Sequence, residues 1–156
     1  MGHYYEIGED LTGQEGIALI LRDNKVYKST TANDKKVIGF LGEIVQGKDS
    51  INNVDHEKVA YAVSIGDSYH WQELESVNSE GEVIKNWVKN INGAQVCNEG
   101  GNIEPGDLLV TSSKPGYFMK QADDIIRSYT AAKCLQQVTF NGNTEQSGIY
   151  CIMMCG

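Results

Sequence analysis

Proline is scarce in this sequence. Pro105 and Pro115 are the two it has in 156 residues, against 17 glycines. That ratio excludes a proline-rich linker or a collagen-like tract and leaves long stretches free to form strands. Basic residues are also in short supply: 13 Lys and Arg face 21 Asp and Glu, a formal net charge of −8. A chain of that sign is a poor partner for nucleic acid or an anionic membrane surface, both of which reward cationic patches. Long apolar runs are missing too. The longest, residues 17–21 and 149–154, fall far below the roughly 20 residues that carry a helix across a bilayer. No charged-then-apolar leader opens the chain, so cytosolic synthesis without membrane insertion is expected.

The usual signatures of bound cofactors are absent as well. Neither a Gly-x-Gly-x-x-Gly run nor a Walker-type loop occurs, so no nucleotide cofactor is expected. His3, His56 and His70 stand apart from one another without metal-ligand spacing, and no metal is expected. Cysteines stand at 97, 134, 151 and 155, and only the last two are close. Zinc ribbons repeat such a pair, which this chain does not do. On a terminal strand, positions 149, 151, 153 and 155 share a face, which suits thiols used as small buried apolar groups, with a bridge between chains left open. Ser112 and Ser113 lie near Lys114 and Lys120, residue types able to support acyl transfer. The turn they occupy explains Ser113 and Lys114 equally well. The adjacent acids Glu9-Asp10 and Asp123-Asp124 read as solvated turn carboxylates.

What the chain does have is short strands between turns. Residues 16–22 and 25–29 flank Asp23-Asn24, a hairpin signal. Residues 36–45 read as a strand in which Gly39 and Gly42 mark a bulge or a close approach, and a polar stretch, 46–56, separates it from a strand at 58–65. In 69–92 the spacing of Trp71, Leu74 and Val77 suits a helix face, but the turn signal at 79–82 favours a hairpin. Asn141-Gly142 predicts a two-residue turn pairing the segments on either side of it. The expected fold is mainly β: a compact sandwich or barrel of short antiparallel strands, one domain over 1–156, with 51–92 as an inserted excursion.

The most specific stretch is 103–120, Ile-Glu-Pro-Gly-Asp-Leu-Leu-Val-Thr-Ser-Ser-Lys-Pro-Gly-Tyr-Phe-Met-Lys. Each proline is followed by glycine, the pair that fills the central positions of a type II turn. Pro105, Gly106 and Asp107 at one end, with Pro115 and Gly116 at the other, are thus expected to pin one strand. This stretch resembles the C-terminal domains of bacteriophage tail-fibre, tailspike and neck-appendage proteins. The order of Tyr4-Tyr5-Glu6, the 37–40 strand, residues 130–135 and the final 148–150 segment is similar to the auto-processing appendage domain classed as a G2 peptidase. The resemblance implies a homotrimeric viral module, located in the virion, with other virion proteins and a host surface receptor as further partners. It also implies an interface at Tyr117, Phe118 and Met119. Glu6 is the one acidic residue in step with a self-cleavage site, because His3 and Tyr5 stand where an acidic and a small residue are expected. A self-cleaving folding aid and a monomeric ligand-binding β module stay open as alternatives.

Overall fold

The computed structural model describes the backbone of residues 2–48, 55–63, 66–67, 69–91 and 93–154, and the side chains of 5–42, 77–83 and 93–154. Among the described residues the regular secondary structure is almost all strand. The elements are β1 (Gly2–Ile7), β2 (Ala18–Arg22), β3 (Lys25–Lys28), β4 (Val37–Lys48), β5 (Asp55–Val63), β6 (Gly66–Asp67), β7 (Tyr69–Val77), β8 (Val83–Ile91), β9 (Ala94–Cys97), β10 (Leu108–Thr111), β11 (Phe118–Lys120), β12 (Ala132–Cys134), β13 (Glu145–Ile149) and β14 (Cys151–Met153), with one 3-10 turn at Asn98–Gly100. The side chains of His3, His56, His70, Trp71 and Trp87, and all of Cys155, lie outside the described residues.

A barrel forms first along the chain, in the order β1-β3-β2-β4-β5. Asp23 and Asn24 both have positive φ, 52° and 62°, and close the β2–β3 hairpin as the sequence predicts. Gly39 (φ 145°) sits where the β2–β4 register shifts, the bulge expected there. Alternate residues of β2 and β4 point to two different cores. Ile17, Leu19 and Leu41 fill the barrel with Ile7, Leu11 and Val26. Ala18, Val37 and Phe40 turn outward and pack with Val96, Ile103, Leu109 and Phe118 of the second sheet. Strands buried on both sides read as continuous apolar runs, which is why residues 17–21 carry no polar alternation.

The second sheet is a seven-stranded half-barrel, ordered β13-β9-β11-β10-β12-β14-β6. Both Pro-Gly turns form. Asp107 N donates to Glu104 O at 3.0 Å across the first, and Tyr117 N to Lys114 O at 3.2 Å across the second, with Gly106 and Gly116 at φ +97° and +82°. Asp107 tightens its own turn further, since its Oδ2 accepts from Glu104 N at 2.7 Å. Residues 69–91 form a self-paired hairpin, β7 with β8, whose turn is held by Asn78 Oδ1 accepting from the amides of Glu80 and Glu82.

Three expectations change. Within the 51–92 stretch read as an excursion, β5 is a barrel wall paired with both β1 and β4, and β6 pairs with β14, so the self-paired excursion is 69–91. The ladders are not uniformly antiparallel, because β1 runs parallel to β3 and β11 to β9. Asn141-Gly142 does not close a tight hairpin: β13 pairs with β9, and residue 138 bridges Ile103 instead. Phe140 N is taken by Asn102 Oδ1 at 2.9 Å, so the segment before the turn is drawn to a different neighbour.

The two Pro-Gly glycines differ in surroundings. A Cβ on Gly106 meets open space, whereas one on Gly116 lies 3.2 Å from Ile17 Cβ and Cγ2. Gly106→Ala is expected to lose about 1 kcal/mol, the left-handed backbone term alone, and Gly116→Ala about 2–3 kcal/mol once crowding of Ile17 is added. Urea unfolding of the two variants measures the difference, and equal losses would contradict the close approach.

Candidate functional site

The segment from 121 to 130 links β11 to β12 and is built as a rigid projection. Gln121 and Thr130 are polar yet 3% exposed, so their hydrogen-bonding groups must be paired inside the protein. Thr130 Oγ1 donates to Gln121 Oε1 at 2.6 Å and accepts from Arg127 N at 2.9 Å. Gln121 Nε2 donates to Ile125 O at 2.6 Å and to Asp123 Oδ1 at 2.9 Å. Across the outside, the Arg127 guanidinium donates to Asp123 Oδ2 at 2.7 Å. The hydrogen bond from Arg127, with that from Gln121, holds the Asp123 carboxyl at about 2, below its ordinary value.

This framework presents two isoleucines to water. Ile125 and Ile126 are 59% and 64% exposed, although the backbone beneath them is bonded on both sides. Ile126 lines an open cleft of about 390 Å³ together with Pro105, Gly106, Asp107, Leu108, Asp124 and Lys133. The apolar surface continues beyond it. Lys133 stands opposite Ile152 in the β12–β14 ladder, and Ile152 (39%), Met154 (38%) and Leu135 (37%) project outward while Cys134, Cys151 and Met153 point into the core. Side chains opposite or diagonal on one face of a ladder are within reach of one another. Ile126, the aliphatic stem of Lys133, Ile152 and its outward neighbours therefore lie along one side of the protein, interleaved with the charged groups of Asp124 and Lys133.

The other sequence candidates are scattered. Glu6 is exposed on β1 and lies 3.7 Å from the Lys25 ammonium on β3. Ser112 is buried and donates to Tyr117 O at 2.7 Å, which closes its turn. Ser113 does not meet Lys114. Its hydroxyl and amide both go to the Glu99 carboxylate, at 2.5 and 2.7 Å, while Lys114 Nζ donates to Glu145 and lies 4.8 Å from the Tyr117 ring centre. The hydrogen bond with Glu145 raises Lys114 and lowers Glu145 from their ordinary values, and burial raises Tyr117. Such an arrangement staples the second Pro-Gly turn to the 3-10 turn and to β13 and leaves the Ser–Lys pair unmade. The interface expected at Tyr117, Phe118 and Met119 is corrected at its centre: Phe118 is fully buried in the core of its own protomer, because alternation on β11 turns it inward, with Tyr117 and Met119 half-buried.

Comparison with family models, with curated proteins and with solved structures finds no match. The projecting loop was missed by sequence reasoning, yet a signal exists. Asp123 and Arg127 lie four apart around two adjacent isoleucines, an acid and a base of a length that can pair across them.

Two outcomes follow from the buried network. Thr130→Val keeps the shape but leaves Gln121 Oε1 and Arg127 N without the hydroxyl, and is expected to destabilise by about 1–3 kcal/mol in urea unfolding. A carboxyl lowered in the folded state contributes stability above its unfolded value near 3.8, and that contribution is lost as pH falls through about 2. Carboxyl-carbon NMR should show Asp123 titrating near 2, with the Ile125 amide shifting in step; a midpoint near 4 contradicts the staple.

Proposed function

We propose that the chain is a self-associating structural module of a virus particle, a homotrimeric domain of the bacteriophage fibre or appendage type that assembles through the Ile126–Ile152 face. The observation that carries this reading is the apolar row itself. Ile126, Leu135, Ile152 and Met154 are exposed on a framework of ladder and buried hydrogen bonds. Isolated exposed apolar side chains are ordinary, but a connected row held rigid is the mark of a surface that is covered in use. Its occupant is a second copy of the chain. Asp124 and Lys133 lie beside Ile126 at the same cleft, so the face offers both signs of charge around its apolar side chains for the neighbouring copy to match.

The sequence resemblance over 103–120 supports the same reading from another direction. The cleft is lined by Pro105, Gly106 and Asp107 of that stretch, so the family-like turn and the apolar face are adjacent. Three-fold association fits a fibre: each copy presents its Ile126–Ile152 face to a different surface of the next, a head-to-tail contact that closes into a ring. The self-cleaving alternative draws no support from Glu6, whose nearest ionic partner is the exposed Lys25 ammonium.

Size-exclusion chromatography with light scattering at micromolar concentration is expected to give three times the 17.2 kDa protomer mass. Ile126→Lys and Ile152→Lys, both at exposed positions that leave folding intact, are expected to shift the population to monomer. A wild-type monomer, or a trimer indifferent to both substitutions, overturns the reading.

A further inference from the structure

Cys134 and Cys151 are directly opposite in the antiparallel β12–β14 ladder, and both are fully buried. Which kind of opposite pair they form can be read from the hydrogen bonds. Cys134 N donates to Asp107 O at 2.8 Å and Cys134 O accepts from Gly106 N at 2.7 Å, so its backbone groups face β10 and away from β14. The bonds between β12 and β14 flank it instead, Leu135 N to Tyr150 O at 2.9 Å and Met154 N to Ala131 O at 2.8 Å. The two cysteines therefore occupy a non-hydrogen-bonded position. There Cα atoms approach to about 4.5 Å and side chains are closest, inside the roughly 4.4–6.8 Å window that a disulfide spans.

Each thiol has a described contact within its own strand region. Cys134 Sγ donates to Gln136 O at 3.2 Å, and Cys151 Sγ lies 3.8 Å from Met153 Sδ. Thiol hydrogen bonds of this kind are weak and compete poorly with a covalent link.

We propose that Cys134 and Cys151 are a cross-strand disulfide site, closed when the protein meets a small-molecule disulfide such as oxidised glutathione. One cysteine thiolate attacks a glutathione sulfur and expels the first glutathione thiolate. The second cysteine then attacks the protein sulfur of that mixed disulfide and expels the other. Two electrons pass from the cysteine pair to glutathione, and the two thiol protons end on two reduced glutathiones. Because neither sulfur is exposed, the reaction waits on local opening of β14, a three-residue strand. The bridge closes a loop over residues 134–151 that contains the connection 135–144 and β13, and restricting that loop in the unfolded chain raises stability. The outward face of the same two strands carries Leu135 and Ile152, so the link also fixes the surface they present.

The test uses the folded chain with Cys155→Ser, which removes the nearest competing thiol in sequence, incubated with oxidised glutathione and then alkylated. The expected product is about 2 Da lighter than the reduced chain, takes alkylation only at Cys97 after unfolding, and on cleavage after Glu145 keeps the Cys134 and Cys151 peptides joined until reduced. Its unfolding midpoint is expected to rise by roughly 5–10 °C over the reduced form, and Cys151→Ala is expected to lose that rise. Both thiols still open to alkylation, a retained glutathione adduct, or a bridge through Cys97 overturns the proposal.

Discussion

Gly116 joins the two curled sheets, and it does so through its backbone alone. Its N–H donates to Ser29 O and its carbonyl accepts from Ala18 N, each at 2.9 Å, so it spans the open ends of β2 and β3. Thr111, fully buried at the end of β10, completes the seam: its carbonyl accepts from Asn33 N, and its hydroxyl donates to Thr31 O and accepts from Asp34 N. Ala18, Ser29, Thr111 and Gly116 are buried, and leaving a hydrogen-bonding group of theirs without its partner costs about 1–3 kcal/mol. The second Pro-Gly turn thus sets where the half-barrel lies against the barrel, and with it the position of β10.

From β10 the geometry is passed outward. Leu109 stands opposite Lys120 of β11 and Ala132 of β12; its carbonyl accepts from Ala131 N at 2.8 Å, while the neighbouring Leu108 O accepts from Gln121 N at 2.7 Å just where β11 ends. Gln121 then uses its side chain to hold the 121–130 loop. A path of hydrogen bonds, backbone as far as Gln121 and side chain beyond it, runs from the barrel seam to the Ile125 carbonyl at the loop tip. Loops are ordinarily the mobile part of a β fold; this one is anchored because its two buried polar side chains satisfy each other and the backbone between them.

Local chemistry made much of this readable in advance. Proline followed by glycine has few backbone options, so both turns, the pinned strand and the Asp23-Asn24 hairpin follow from the residues themselves. The buried double face of β2 was visible as an unbroken apolar run without its reason being visible, since nothing local says that two cores flank one strand. Asn141-Gly142 shows where local reasoning fails. The pair has the backbone for a tight turn, but Asn102 and Ile103 bind residues 140 and 138 and draw the preceding segment away from β13. Phe118 fails for a related cause: an aromatic in a strand faces in or out according to register, and register on β11 is set by β9 and β10. The loop network escaped notice because Gln121 and Thr130 look like surface residues in a sequence and become interior only when the chain folds over them.

An anchored apolar surface has an energetic consequence for association. Ordering flexible side chains and loops at an interface costs free energy that must be recovered from the contact, and here the cost falls on folding, where Thr130, Gln121 and the Asp123–Arg127 staple have already met it. A net charge of −8 works in the opposite direction by making copies repel. That repulsion is spread over the surface and screened beyond about 8 Å at physiological ionic strength, whereas apolar burial of the kind proposed acts only at contact. With Lys133 and Asp124 both at the rim, charge within the patch is locally balanced even though the whole protomer is acidic. In the proposed association, the acidic exterior would oppose contact elsewhere and leave the Ile126–Ile152 face as the place where apolar burial offsets repulsion.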